Sequence, residues 1–195
     1  MTDEEIKKFR DGIFSLRTNF GELAQLMLQK DMGFFPSNDK SYDLKNKDEK
    51  KIEVKFSRAY KKGIQLTEKN AIDLCSNFST MVYDSTDAEN KLSDYDCNIQ
   101  QIKPECFDYL YYGVFFRDKI EIFCAERSIF PESIEAFKKD KESTRKKLPG
   151  YALQHKGGSE CQFHITKTTH KHHHEKYYLK DITYEDLYDL LKSEE

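Results

Sequence analysis

The chain has 195 residues, of which 37% are hydrophobic and 34% are charged, and this composition favours a globular domain with its own core over intrinsic disorder. No apolar run approaches the roughly 20 residues needed to span a bilayer, and the acidic N-terminus is unlike a signal peptide, so we expect a cytoplasmic protein without a membrane partner. The cysteines are odd in number and form no C-x-x-C pair, which argues against a disulfide framework and against a zinc ribbon.

The formal net charge of -3 is unevenly distributed along the chain. Residues 40–62 carry nine Lys or Arg against four Asp or Glu, and residues 138–180 carry eleven against four together with all six histidines. The acidic excess lies in residues 84–108 and after position 181. Two basic segments could therefore bind one polyanion while the acidic surfaces face away from it.

Residues 3–31 are predicted to form one long helix or two shorter ones, because apolar residues recur there at spacings of three and four. Thr2 and Glu5 fit a capping box at the start of this segment. Gly21 interrupts the pattern and Glu22 follows it. Glu22 is either a third acidic ligand that approaches the next segment of the chain or an exposed helical glutamate, and the sequence leaves both alternatives open.

A β-hairpin is predicted on either side of the polar residues 47–49, because extended runs precede and follow this connection of a length common in hairpins. A loop of that length pairs Lys45 with Lys51. The same register places Asp43 opposite Glu53, with Cβ atoms about 5 Å apart.

The second strand of this hairpin alternates between charged and apolar side chains. Lys55 lies two residues after Glu53 and points to the same side, while Ile52, Val54 and Phe56 point to the other side, into a core. A charged strand face is most often simply solvated. Here, however, two acids that can share a divalent cation lie next to an ammonium that can act on a bound water. Asp39 is an alternative first acid, but it requires a different hairpin register.

The remaining predicted elements are, in chain order, a short helix over 67–78, an irregular polar segment over 84–105, two adjacent strands over 109–116 and 119–125, a lysine-rich helix over 131–147, a short strand over 162–165 and an amphipathic helix over 183–191. The strand over 109–116 is almost continuously hydrophobic, so we place it at the centre of a sheet, buried on both faces. We therefore predict a single α/β (α+β) domain over residues 1–195, with a central mixed β-sheet flanked by helices.

The C-terminal quarter contains residues suited to contact with nucleic acid. Gly157 and Gly158 permit a tight turn or a close approach of the backbone to a ligand. Gln162 and His164 lie on a short alternating strand, and such side chains can read base edges, Gln being suited to adenine. An ordinary hairpin is the alternative interpretation of this segment.

The histidine cluster from His170 to His174 invites a metal-binding interpretation. His170 and His174 could share a helical face, but consecutive histidines cannot all bind one ion, and no carboxylate or Cys partner is spaced to close a zinc site. We therefore interpret this segment as an exposed, basic and pH-sensitive loop that could contact a DNA phosphate.

The spacing of Asp43, nine further residues, Glu53, Val54 and Lys55 resembles the acidic motif of the PD-(D/E)XK nuclease superfamily. The layout of the chain is similar to that of the type II restriction endonucleases: an N-terminal helix with a glutamate, a hairpin with the acidic motif, a hydrophobic strand pair and a C-terminal segment with Gly, Gln and His. The proline that precedes the first aspartate in the family is Tyr42 here, so that position departs from the pattern.

This resemblance implies a restriction-endonuclease-like fold and a Mg²⁺-dependent hydrolase. At the matching positions, Asp43, Glu53 and the backbone carbonyl of Val54 would bind Mg²⁺, which prefers oxygen ligands. Lys55 would orient or help to deprotonate the attacking water, and Glu22 would complete the catalytic set. Hydrolysis of the phosphodiester would leave a 5′-phosphate and a 3′-hydroxyl.

The resemblance also implies a homodimer that cuts both strands of double-stranded DNA at a short specific sequence, with a cognate DNA methyltransferase in the same restriction-modification system. Contacts with DNA are then expected from Ser57, Arg58, Lys61 and Lys62 after the acidic motif, and from His155, Lys156, Gln162 and His164 in the segment 150–180.

Two alternative functions remain open at the level of sequence. The first is a DNA repair or junction nuclease of the same superfamily, which recognises the structure of its substrate rather than a sequence. The second is a non-catalytic nucleic-acid-binding or metal-binding protein, in which the acids are merely solvated and the histidines bind. Metal-dependent cleavage into discrete fragments distinguishes a restriction endonuclease from both alternatives.

Overall fold

The computed structural model describes residues 2–16, 20–86, 94–154 and 160–193. Its helices are α1 (Asp3–Ser15), α2 (Phe20–Met32), α3 (Ala71–Ser76), α4 (Ile134–Lys139), α5 (Lys141–Lys147), α6 (His170–Tyr177) and α7 (Tyr184–Lys192). Its strands are β1 (Phe35–Pro36), β2 (Leu44–Lys45), β3 (Lys51–Arg58), β4 (Tyr60–Lys61), β5 (Tyr95–Ile102), β6 (Tyr109–Phe115), β7 (Lys119–Glu126), β8 (Ala152–Leu153), β9 (Cys161–Thr166) and β10 (Tyr178–Thr183).

The larger sheet is mixed and has the strand order β1-β2-β3-β6-β7-β10 within the described residues. β3 and β6 run parallel, and the other neighbouring pairs are antiparallel. β6 lies between β3 and β7 at the centre, where its nearly continuous apolar sequence is buried on both faces. The predicted class, a central mixed sheet flanked by helices, and the predicted central strand pair are both confirmed.

A second, antiparallel sheet has the order β4-β5-β9-β8. The sequence predicted an irregular segment over 84–105, and this is wrong, because β5 occupies Tyr95–Ile102. The strand alternates over residues 95–100, with Cys97 and Ile99 buried and Asn98 between them on the outer face, and an irregularity follows between Ile99 and Ile102. Its polar face obscured the period of two, which is the signature of a half-buried strand.

Two hydrophobic cores lie on the two faces of the larger sheet. One face packs against α1, α2 and α7, and the other packs against the second sheet and α4. Gly113 of β6 permits a close approach between strands, since a Cβ there would lie 2.0 Å from the ring of Phe56 on β3. β3 is therefore held tightly against the sheet centre.

The helix boundaries agree with several local signals in the sequence. The capping box of Thr2 and Glu5 starts α1 as predicted, and of the two open alternatives for the N-terminal segment the chain adopts two helices. The predicted C-terminal helix is also confirmed, with Thr183 as its N-cap. The helix predicted over 131–147 is instead two short helices, because Asp140 adopts a non-helical conformation and caps α5.

Two further segments correct the sequence interpretation. The helix predicted over 67–78 is reduced to α3 and a following 3₁₀ turn at Phe78–Met81. The histidine cluster is not an exposed loop, because it forms α6, with His173 buried and stacked on Phe163. No helix within the described ranges is long and apolar enough to cross a membrane.

Candidate active site

The hairpin that carries the acidic motif has the predicted register. Lys45 pairs with Lys51, and Leu44 pairs with Ile52. The turn is fixed locally by Asn46, whose side-chain oxygen accepts hydrogen bonds from two backbone N–H groups of the loop, at 3.0 Å each. Asp43 directly precedes β2, and its backbone N–H donates to the carbonyl of Ile52 over 3.1 Å, which places the residue beside the start of the acidic strand.

Lys55 lies between the two carboxylates. Its Nζ is 2.5 Å from Oε1 of Glu53 and 3.7 Å from Oδ2 of Asp43. Asp43 is itself held at both oxygens, because Oδ2 accepts a hydrogen bond of 2.8 Å from the backbone N–H of Val54, and Oδ1 accepts one of 2.9 Å from the amide of Gln25. The structure therefore brings together the three residues that the sequence singled out.

Glu53 is the more deeply placed of the two acids, with only 7% of its surface exposed. Burial raises the pKa of Glu53, and the like charge of Asp43 adds to this effect, although the charge of Lys55 opposes it. One ammonium is thus shared between two carboxylates. The two carboxylates together carry more negative charge than the single ammonium neutralises, and a bound divalent cation would balance the excess.

The backbone of Val54 offers a third oxygen. The N–H and C=O of a strand residue point to the same edge, and the N–H of Val54 points to the Asp43 carboxylate, beyond the end of β2. No group of three or more Asp, Glu, His or Cys that could hold a metal occurs among the described residues. Two carboxylates with a backbone carbonyl nevertheless fit Mg²⁺, which usually binds one or two carboxylates and completes its shell with water and phosphate oxygens.

Helix α2 contributes Gln25 to the site rather than Glu22. Glu22 is exposed, and it does not join Asp43 and Glu53 in a cluster of three acids. This position favours the second of its two interpretations, an exposed helical glutamate. Gln25 lies three residues later and was missed, because an amide on an amphipathic helix carries no signal of its own in the sequence.

A cleft of about 590 Å³ opens beside Lys55. Helix α2 forms one wall, β3 forms the floor, and the outer face of β5 forms the other wall. The lining residues are Phe20, Gly21 and Gln25 of α2, Val54, Lys55, Phe56 and Ser57 of β3, Tyr60 of β4, and Asp96, Asn98, Gln100 and Gln101 of β5. A strand that the sequence did not predict therefore supplies much of the polar surface next to the acidic motif.

The basic residues after the motif are largely committed to contacts within the protein. The guanidinium of Arg58 donates to the Leu16 carbonyl and, over 2.7 Å, to the hydroxyl of Tyr60, and its centre lies 4.4 Å from the ring centroid of Phe20. These contacts fix Arg58 as a support between β3 and the N-terminal helices. Binding of a phosphate by Arg58 would require them to break.

The other three predicted phosphate contacts differ in exposure. Ser57 is half-buried beside the thiol of Cys97. Lys61 is half-buried on β4, and Lys62 is exposed, with its Nζ 3.0 Å from Oδ2 of Asp94. Lys62 is thus the one exposed residue of this set, and its ammonium is paired with Asp94.

The C-terminal residues that the sequence predicted to contact DNA lie only partly within the described structure. His155 and Lys156 lie outside the described residues. Gln162 and His164 lie on β9, with their side chains on the outer, half-exposed face of the second sheet. His164 Nδ1 is 2.7 Å from Oδ1 of Asp96 on the neighbouring strand, and its Nε2 is 3.4 Å from Nε2 of Gln162.

A second buried carboxylate lies elsewhere on the larger sheet. Glu121 of β7 is 2% exposed, and its two oxygens are 2.5 Å from Nε2 of His170 and 2.8 Å from Nζ of Lys119. Burial acts to raise the pKa of Glu121, but the hydrogen bond and charge of His170, followed by those of Lys119, outweigh it and lower the pKa. His170 and His174 share a helical face as the sequence suggested, with ring centroids 5.8 Å apart.

Two carboxylates, a backbone carbonyl and an ammonium at one end of a polar cleft form a constellation that can hold a divalent cation and a water against a phosphodiester. Gln25 and the N–H of Val54 orient the first carboxylate, and the ammonium of Lys55 holds the second. No protein-family model, no curated protein and no solved structure matches the chain.

Proposed function

We propose that this chain is a Mg²⁺-dependent endodeoxyribonuclease of the type II restriction class, which hydrolyses double-stranded DNA at a short specific sequence and leaves 5′-phosphate ends. The observation that carries the proposal is the position of the Lys55 ammonium, 2.5 Å from Glu53 and 3.7 Å from Asp43, at the end of a polar cleft. A solvated strand face would not require a buried glutamate, a shared lysine and a helix amide at one point.

Asp43, Glu53 and the Val54 carbonyl would hold the metal ion. Mg²⁺, when bound there, supplies the positive charge that polarises the scissile phosphate and lowers the pKa of a bound water. Lys55 then has two tasks that follow from its position. It holds the attacking water by a hydrogen bond, and it stabilises the negative charge that develops on the phosphorus oxygens.

The electrostatics of Glu53 support a cation at this point. Its pKa is raised by burial and by Asp43, with Lys55 only partly compensating. An ion placed between the carboxylates would reverse this balance and would leave Lys55 free to turn toward a substrate. A bound cation would therefore balance the charges of the two carboxylates better than Lys55 does alone.

The partners follow from the proposed reaction. Cleavage of both strands at one short sequence requires two active sites, which a homodimer supplies when its two-fold axis matches that of the DNA sequence. Lys62 and the basic C-terminal segment would contact phosphates, which position the duplex without reading it. A cell that contains this activity needs a cognate DNA methyltransferase to protect its own DNA.

The test is digestion of a sequenced phage DNA by the purified chain, with Mg²⁺ and with EDTA. We expect discrete, reproducible fragments only with Mg²⁺, and ends that DNA ligase rejoins without prior phosphorylation, since they carry 5′-phosphates. Lys55→Met should bind the same DNA and leave it intact. Metal-dependent degradation without fixed fragments would favour a structure-specific nuclease, and retained binding with no cleavage at any ionic strength would favour a non-catalytic DNA-binding protein.

A further inference from the structure

The outer face of the second sheet forms a row of amide side chains next to the proposed active site. Asn98 of β5 lies opposite His164 of β9 in the antiparallel register. Gln100 and Gln162 follow along the two strands next to the irregularity between Ile99 and Ile102, and the adjacent side chains of Ile99 and Phe163 are buried. We call Asn98, Gln100 and Gln162 the amide row.

Members of the amide row retain hydrogen-bonding capacity that the protein does not use. The side-chain oxygen of Asn98 is buried and accepts no hydrogen bond in the described structure. A buried acceptor without a partner costs free energy. Rotation of the Asn98 amide would turn this oxygen toward the cleft, where a hydrogen-bond donor of a ligand could satisfy it. Gln162 contacts His164 through its nitrogen at 3.4 Å, which leaves its side-chain oxygen and one N–H for a ligand.

The charges around the amide row are neutralised or absent. The carboxylate of Asp96 is engaged by His164 at 2.7 Å. Lys55 is the one cationic side chain among the described residues that line the cleft. A surface of this kind does not act by attracting phosphate, and instead it recognises a neutral partner that offers donors and acceptors at fixed positions.

The position and shape of the ribbon agree with base reading. Asn98 and Gln100 line the same cleft as Lys55. Because β4 and β8 have two residues each, most of the second sheet consists of the two-stranded ribbon of β5 and β9. A two-stranded ribbon is one of the elements that the major groove of DNA admits.

We propose that Asn98 and Gln162 read adenine in the major groove, and that methylation of adenine at N6 is therefore the modification that protects DNA from this protein. The inference rests on the proposed nuclease function and deepens it by naming the base. Asn and Gln side chains pair with N6 and N7 of adenine, whereas guanine is read mainly by Arg or Lys. A methyl group on N6 replaces the hydrogen that N6 would donate to the amide oxygen in the major groove, so the methylated base loses this hydrogen bond.

The test uses one DNA fragment amplified in three forms: unmodified, with N6-methyladenine in place of adenine, and with 5-methylcytosine in place of cytosine. The unmodified and 5-methylcytosine forms should be cut at similar rates. The N6-methyladenine form should be cut about tenfold to hundredfold more slowly, which is the discrimination expected of a good amide contact with adenine. Equal rates on all three forms, or protection by 5-methylcytosine alone, would overturn the inference and leave the nuclease proposal standing.

Substitutions in the amide row supply a second readout. Asn98→Ala and Gln162→Ala should lower the ratio of cleavage at the recognition site to cleavage at sites with one changed A·T pair by about tenfold or more. Gln65→Ala, an exposed amide between β4 and α3, is the matched control and should leave this ratio unchanged. An unaltered ratio in both row variants would also overturn the inference. An intact unmodified fragment would instead overturn the proposed nuclease, and the inference with it.

Discussion

Two glutamates on the larger sheet have nearly the same local sequence, but their pKa values are shifted in opposite directions. Glu53 lies two residues before Lys55 on β3, and Glu121 lies two residues after Lys119 on β7. Both strands flank β6, and the register places both glutamates on the face that packs against the second sheet. Burial raises the pKa of Glu53, whereas the pKa of Glu121 is lowered.

The difference arises from the neighbours that tertiary structure supplies. Glu121 receives a hydrogen bond from His170 as well as from Lys119, whose ammonium it shares with Asp181. Glu53 shares Lys55 with the like charge of Asp43. A glutamate and a lysine two residues apart on a strand therefore do not define a site, and the difference between these two sites lies in the hydrogen bond that His170 adds at Glu121.

The largest expected effect that separates the two glutamates is on cleavage. Glu53→Gln should lower the rate of DNA hydrolysis by about 10³-fold or more, because on the proposed mechanism it removes a metal-binding carboxylate and several kcal/mol of transition-state stabilisation. Glu121→Gln, the matched control on the same face, should retain the rate per folded molecule. Single-turnover digestion with saturating enzyme measures both. Comparable losses in the two variants would show that the two carboxylates do not differ in function.

For the stability of the fold, we expect the substitution of Glu121 to have the larger effect of the two. Glu121→Gln should lower the free energy of unfolding at pH 7 by about 2 to 3 kcal/mol, because it weakens charge-assisted bonds to His170 and Lys119 in a buried place. Glu53→Gln should leave stability unchanged or increase it, because the charged form of Glu53 is disfavoured by burial. Urea unfolding of both variants measures the two values. A larger loss for Glu53→Gln would contradict the assignment of Glu121 as the structural member.

Much of the candidate site follows from local rules. Loop length sets the pairing of Lys45 with Lys51, which brings Asp43 and Glu53 to the same end of the hairpin. The continuous hydrophobic run of β6 likewise defines the centre of the sheet. These features depend on neighbours in sequence or on one strand pair, which is why the sequence predicted them.

The missing parts of the site come from contacts between distant segments. Gln25 reaches Asp43 across 18 positions, and the strand β5 was hidden because its exposed side chains are polar. His173 of α6 is buried against Tyr112 of β6 and Phe163 of β9, which are distant in sequence. A histidine-rich segment looks solvated in sequence, and only packing shows that one of its members belongs to the core.

Stability at acid pH distinguishes buried from exposed histidines on α6. Burial, with the charges of His172 and His170, lowers the pKa of His173 to about 3 from an ordinary value of 6.5. The unfolded chain therefore binds a proton that the folded chain refuses, and stability falls as the pH drops below about 6.5. The loss from this residue alone should reach about 2 kcal/mol at pH 5 relative to pH 8.

His173→Phe keeps the ring that stacks on Phe163 and removes the titrating group. The variant should be less stable at pH 8, because the hydroxyl of Tyr112 loses its partner at 3.0 Å, but its stability should change less between pH 8 and pH 5. His174→Gln, at an exposed position, should keep the slope of the parent protein. Urea unfolding at several pH values measures the slopes, and an unchanged slope in His173→Phe would show that His173 is not the group responsible.

The smallest expected effect concerns the support of the acidic pair by α2. Gln25 donates to one oxygen of Asp43, while the N–H of Val54 still holds the other. Gln25→Ala should therefore raise the Mg²⁺ concentration for half-maximal cleavage by about tenfold, as expected when a group that orients a metal ligand is removed, and should change the rate at saturating Mg²⁺ less. Glu22→Ala, on the same helix and exposed, should alter neither value. If Glu22→Ala had the larger effect, Glu22 would be the third acidic ligand after all, and α2 would have to turn to bring it to the site that Asp43 and Glu53 form.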